Sequence, residues 1–198
     1  MYDYTEDGDA AAVWAQWALL QPNLRIVDTE TTDLYDAEVI EVAVMDGLGA
    51  TLLHSRVRPV HRIAYDATEA HGITADLLRD APDFRVIYPD LRRVLDGGYV
   101  VIYNADFDTP ILNRSAELWS LPNFPMQPYC AMLAYAAYYG DWSDYHGSYK
   151  WQKLTAAARR FGISTRGAHG ALADARMTVG VLQGMAGYVK RPSHGQGS

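Results

Sequence analysis

Three short segments carry the residue types that could do chemistry on an anionic substrate. The first is Asp28-Thr-Glu30. Side chains two apart on an extended chain project to the same side, about 6.6 Å apart along it. Two carboxylates so placed can share a hard divalent cation, because Mg²⁺ and Mn²⁺ prefer oxygen ligands. The second is Asn104-Ala-Asp-Phe-Asp108, directly after the apolar run Tyr-Val-Val-Ile-Tyr. A carboxylate where a buried strand gives way to a helix lies at the rim where α/β proteins place their sites. The third is His169-Gly-Ala-Leu-Ala-Asp174, an imidazole in a glycine-bracketed loop five residues ahead of an acid. Carboxylates so gathered could hold a hard divalent cation, and a histidine, with an ordinary pKa near 6.5, could exchange a proton near neutral pH.

Each segment also has an ordinary reading. Asp28 and Glu30 could be strand-end charges. Asn104, Asp106 or Asp108 could cap the following helix. His169 could lie free on the surface, with Asp174 favoured by the helix dipole. Another triplet, Asp36-Ala-Glu38, reads as a solvated turn. What distinguishes Asp28 is the run Leu-Arg-Ile-Val before it, which would hold it rigidly at a sheet edge.

The elements that must position these residues follow from pattern. Residues 10–20 read as a helix with Val13, Trp17 and Leu20 on one face, ended by Pro22. Residues 24–28, 39–45 and 51–57 read as strands, the last two divided by the turn Asp46-Gly-Leu-Gly49. Helical spacing follows at 74–79 and 84–95, and Gly97-Gly98 stops the second. Residues 99–103 form a buried-type strand, and 126–130 a shorter one. Helices are expected at 108–119, 154–161 and 171–188. Hairpin-linked strands followed by strands separated by helices predict an α/β domain with a mixed sheet. Three segments are expected: an N-terminal helical extension at 1–23, one domain at 24–190, and a polar tail without fixed structure at 191–198.

Composition narrows the function. The 198 residues carry 17 Lys+Arg and 24 Asp+Glu, a formal charge of −7, which argues against a protein that coats duplex nucleic acid with a basic face. A nucleic-acid enzyme is compatible with this balance if its carboxylates bind cations. One cysteine, Cys130, excludes an intrachain disulfide and suits a reducing, cytoplasmic setting. No apolar run approaches the roughly 18 residues of a membrane span, and the acidic start is unlike a secretory signal.

The motifs in this order, with His71-Gly-Ile-Thr74 between the first two, resemble the DEDDh family of 3′→5′ exonucleases. That family includes proofreading exonuclease subunits of bacterial DNA polymerases, RNase T and oligoribonuclease. The resemblance runs over residues 24–188. It implies a ribonuclease H-like fold, a mixed five-stranded sheet with helices on both faces, and two Mg²⁺ or Mn²⁺ ions. By the same resemblance Asp28, Glu30, Asp108 and Asp174 are the metal carboxylates and His169 the general base. Asp28 bridges both ions, Glu30 and Asp174 complete one, and Asp108 acts through an intervening water. Asp108 is chosen over Asp106 because the family's acid follows the aromatic residue, and the five-residue step from His169 to Asp174 separates this branch from its tyrosine-bearing sister.

Substrate contacts implied by the resemblance are the backbone at Thr31 and Thr32, a wedge at Leu34 between the last two bases, His71 at the 3′ end, and Asn104. Arg56, Arg58, His61 and Arg62 form a basic cluster that could track phosphates or simply be solvated. The aromatic stretch 135–151 could stack bases, though core packing explains most of its rings. Departures from the family pattern are Asp33 in place of glycine, Cys130 where an aspartate is frequent, and the N-terminal helix. The expected activity is release of nucleoside 5′-monophosphates from single-stranded 3′ ends, DNA slightly preferred. Alternatives are an RNA-trimming exoribonuclease or a non-catalytic nucleic-acid-binding module. Expected partners are single-stranded DNA or RNA ends and a polymerase or other replication or repair protein. Oligomeric state stays open.

Overall fold

A computed structural model describes residues 3–187. The tail expected at 191–198, and the predicted helix end at Tyr188, lie outside them. The chain runs α1 (Gly8–Leu19), β1 (Leu24–Thr31), β2 (Val39–Met45), β3 (Thr51–Arg56), α2 (Tyr65–His71), a 3₁₀ turn (Ala75–Leu78), α3 (Phe84–Leu95), β4 (Tyr99–Ile102), α4 (Ala105–Glu117), β5 (Tyr129–Cys130), α5 (Ala131–Tyr139), the hairpin β6 (Trp142–Ser143) and β7 (Ser148–Tyr149), α6 (Leu154–Arg160) and α7 (Ala171–Ala186). The main sheet has the order β3-β2-β1-β4-β5, with β1–β2–β3 antiparallel and β4 and β5 parallel to β1. Helices α3 and α4 cover one face; α7 lies on β1 and β2 from the other, backed by α1, α5 and α6. This is the mixed, ribonuclease H-like sheet that the strand pattern and the resemblance imply.

The register creates the site. β1 pairs with β2 along nearly its whole length, from Ile26↔Met45 to Thr31↔Val39. Its pairing with β4 stops at Val27↔Ile102, because the chain turns at Tyr103 into α4. The segment from Asp28 to Thr31 therefore projects past β4. Below it the core is aliphatic: Ile26, Val27, Val42, Val44, Val101 and Ile102 are fully buried. The parallel and central strands lack polar alternation because helices cover both faces.

α1 departs from the expected face. Val13, Trp17 and Leu20 do align, but they point to solvent, at 64%, 43% and 79% exposure. Ala11, Trp14, Ala15 and Ala18 face inward instead. Alanines let α5 and α7 approach closely, while the Trp14 ring stacks on Tyr4 (4.7 Å) and its Nε1 donates to the Tyr99 hydroxyl at 2.9 Å. Asp7 starts the helix by accepting the Ala10 amide at 2.8 Å. Its inward side chains share one core cluster with the sheet.

Helices α2 and α5 were not expected. α5, Ala-Met-Leu-Ala-Tyr-Ala-Ala-Tyr-Tyr, is apolar on every side, so no amphipathic period marks it. Residues 75–78 form a 3₁₀ turn, not the α-helix that the spacing at 74–79 predicts, and α4 begins at Ala105, three residues ahead of the expected start. The turn reading of Asp36-Ala-Glu38 holds for Asp36, which is exposed with φ 50°, but not for Glu38. Glu38 is buried and accepts the Val60 and His61 amides (2.8 and 2.7 Å) and His61 Nδ1 (2.7 Å), fastening the loop after β3.

α7 is set tightly. A Cβ at Gly184 would lie 2.4 Å from the Phe161 ring, and one at Gly180 2.6 Å from Ile163 Cδ1. A side chain at Gly184 would have to displace the Phe161 ring, so the turn after α6 seats directly on the α7 backbone there.

Candidate active site

Asp28 and Glu30 sit on the projecting end of β1, on the face that α7 covers; Asp174 lies in the first turn of α7. Each offers a carboxylate oxygen, and these three atoms lie within 4.8 Å of one another. Asp108, in the first turn of α4, approaches from the other face, where Thr29 Oγ1 donates to its Oδ1 at 2.7 Å. Asp108 is buried, whereas Asp106 is exposed. The opposite placement follows from strand alternation: Asp28 and Glu30 face one way and Thr29 the other.

The carboxylates stand in each other's field. Burial, then Asp108, Asp174, Glu30 and Glu41, raises Asp28 well above the usual carboxylate range. Burial, followed by Asp174, Glu41 and Asp108, pushes Glu30 up to about 8. Asp108 rises to about 6, mainly through burial, held back by its bond from Thr29. Asp174 is raised by burial and partly offset by the His169 amide. An all-oxygen donor set in which burial and mutual repulsion disfavour ionisation fits a hard divalent cation, which would supply the missing positive charge.

His169 reaches this cluster from the loop before α7. Its backbone lies in the left-handed region (φ 64°), rare for a residue with a side chain. Its amide donates to Asp174 Oδ1 at 3.1 Å, so the same acid that faces the cluster holds the histidine's backbone. The imidazole is exposed at the open side.

Other expected contacts fall into two groups. Leu34, 69% exposed on the loop after β1, is free of the core, as a wedge requires. Thr31 and Thr32 are buried: Thr31 Oγ1 donates to the Asp33 carbonyl (2.8 Å), and the Thr32 amide donates to the Glu38 carbonyl (2.9 Å). His71 is engaged at both nitrogens. Its Nδ1 accepts the Ile73 amide at 3.0 Å, so Nε2 carries the proton and faces the Thr31 carbonyl at 3.3 Å. It braces the end of β1 as a neutral side chain, and burial lowers its pKa. Asn104 occupies the position before α4 without a side-chain cap bond. In the basic cluster, His61 is bound to Glu38, Arg56 Nε lies 4.0 Å from Glu41 and Arg58 donates to the Arg79 carbonyl (3.2 Å). In the aromatic stretch, Tyr135 is core, while Trp142, Tyr145 and Trp151 are exposed.

The motifs do not single out Glu41, yet it is buried beside the cluster, paired in register with Glu30. Its signal was available: one carboxylate inside Val-Ile-Glu-Val-Ala-Val-Met, a strand buried at every position. A charge in such a strand needs partners.

A family model described as an exonuclease, of the RNase T type, matches residues 26–182. An uncharacterized exonuclease, CP81, of Escherichia phage 186 is 38% identical over 175 residues, covering 84% of this chain and 90% of that protein. The DNA polymerase III subunit epsilon of Haemophilus influenzae is 29% identical over 85% of this chain and 70% of its own. Among solved structures, exonuclease X in complex with 5′ overhanging duplex DNA superposes with a TM-score of 0.63 at 24% identity, covering 82% of this chain and 90% of that one. The nuclease domain of 3′hExo, a DEDDh family member bound to rAMP, gives 0.62 at 21%, covering 81% and 91%. At these identities the superpositions speak for the fold.

Proposed function

The chain belongs to this exonuclease family, as a 3′→5′ exonuclease of the DEDDh type, and from that premise we propose that it hydrolyses the terminal phosphodiester of single-stranded nucleic acid, DNA before RNA, releasing nucleoside 5′-monophosphates. The observation that carries the reading is the convergence of Asp28, Glu30 and Asp174 at the open end of the sheet, with His169 tethered to Asp174.

In this reading Asp28, Glu30, Asp108 and Asp174 hold two Mg²⁺ or Mn²⁺ ions. When bound, such ions lower the pKa of an attacking water and offset charge on the leaving 3′ oxygen. Asp28 would be shared by both ions, Glu30 and Asp174 would complete the set for one, and Asp108 would act through an intervening water. His169 accepts the proton of the attacking water, and its exposed position leaves a path for releasing it. Leu34 wedges under the terminal base, and Thr31, Thr32, Asn104 and His71 shape the floor it rests on. A bacterial-type polymerase partner and a cytoplasmic setting accord with the relatives named as polymerase subunits.

The test is a pair of 5′-labelled oligomers of one sequence, single-stranded DNA and RNA, each incubated with Mg²⁺, Mn²⁺ or EDTA. The expected result is a metal-dependent ladder shortening from the 3′ end, faster on DNA. A faster RNA ladder would reverse the sugar preference, and no cleavage of either would remove the catalytic reading.

A further inference from the structure

We propose that Glu41 is a positioning residue for the general base: from β2 it caps α7 and thereby holds the His169 loop against the acid cluster, an inference that rests on the catalytic reading above. Gly170, the residue before α7, has no side chain and makes no cap bond. The amide of Ala171, the first helical residue and fully buried, has no partner within the helix. Glu41 Oε2 accepts it at 2.9 Å across 130 residues of sequence. A carboxylate at that position also faces the positive end of the helix dipole.

The loop is thus fastened twice. The His169 amide is tied to Asp174 and the Ala171 amide to Glu41, with Gly170 between them. A Cβ at Gly170 would make ordinary contact with the Gly167 carbonyl (3.4 Å) and Glu41 Oε2 (3.8 Å), so the residue between the two ties lies against both the loop and Glu41. The left-handed backbone at His169 costs free energy unless its surroundings hold it, and these ties do so.

The second oxygen explains why a fifth carboxylate can stand here without joining the ligands. Glu41 Oε1 is 3.0 Å from His54 Nε2 and 4.0 Å from Arg56 Nε, both on β3. Glu41 is turned towards these two side chains and the helix end, and bridges the outer strand to the catalytic loop.

The experiment compares Glu41→Ala and Glu41→Gln with wild type. Glutamine keeps an oxygen that can accept the Ala171 amide; alanine does not. For Glu41→Ala a fall in kcat of about a hundredfold with KM within about threefold is expected, the scale on which small misplacements of a catalytic group act. Glu41→Gln should recover to within about fivefold of wild type, and calorimetric Mn²⁺ affinity should stay within about threefold in both. Hydrogen exchange at the Ala171 amide should speed up in Glu41→Ala and stay slow in Glu41→Gln. That readout needs no turnover, so it separates failure of this inference from failure of the catalytic one. Unchanged kcat or unchanged exchange in Glu41→Ala, equal impairment of both variants, or a tenfold loss of Mn²⁺ affinity would overturn the proposal, the last by making Glu41 a ligand.

Discussion

From Leu24 to Val27, β1 is paired with β4 on one edge, joined by β2 on the other from Ile26 onward, and its buried side chains are aliphatic. From Asp28 to Thr31 only β2 continues beside it, and the side chains facing α7 are carboxylates. Water is largely withheld from both halves, with opposite energetic signs. Each aliphatic side chain gains about 1.5–3 kcal/mol from burial. Each carboxylate is penalised by burial and by its neighbours, which is why Asp28 and Glu30 hold their protons so strongly. One strand therefore stores stability at its start and spends it at its end, where a bound cation would return it.

Exchanging the character of either half separates the two most sharply. Asp28→Asn should lower kcat by about a thousandfold or more while raising the metal-free melting temperature near neutral pH, because folding no longer has to bury a carboxyl that must first take up a proton. Ile26→Ala should do the reverse, costing about 2–5 kcal/mol of stability with kcat per folded molecule unchanged. Denaturation and steady-state assays on both variants check this, and a destabilised Asp28→Asn would contradict the account. Next in size, His169→Ala should lower kcat about 10²–10⁴-fold with Mn²⁺ affinity nearly intact, measured by calorimetry, since it removes a base and no ligand.

A pH series tests the charged half alone. Glu30 moves from 4.5 unfolded to about 8 folded, so between these values the folded chain keeps a proton that the unfolded chain has released. Its contribution to stability is complete below about pH 4.5 and lost as pH rises through about 8. Metal-free melting temperature should fall from pH 5 to pH 8, and the increase on adding Mn²⁺ should be greater at pH 8; a flat profile would count against the repulsion. The smallest effect is expected outside both halves: Leu34→Ala should raise KM several-fold on single-stranded DNA with kcat little changed, the scale of one lost base contact.

What could be read in the residues beforehand divides along physical lines. The strands at 39–45 and 99–103 and the helix at 84–95 announce themselves by local patterns, while the acids at 28, 30, 108 and 174 stand out only through the family resemblance that their motifs carry in order. Long-range packing has no such signature. Whether Val13 or Trp14 faces inward depends on α5 and α7, which alanines admit closely on one side. α5 is uniformly apolar, so periodicity is silent there. Glu38 resembles a surface acid until His61 arrives from a distant segment, and Glu41, though conspicuous in an apolar strand, shows no role until the Ala171 amide does. The roles hardest to read were those whose hydrogen-bonding partner lies far along the chain.

Tyr4 has a consequence for solubility. Its hydroxyl accepts the Cys130 amide at 3.2 Å, closing off a donor on β5, the last strand of the sheet and only two residues long. At the opposite border β3 carries His54 and Arg56. Exposed strand borders invite other chains to add on and aggregate, and short length, an aromatic cover and charge each discourage that. A chain lacking the residues before Asp7 would keep every catalytic side chain and yet offer a raw sheet border to its neighbours.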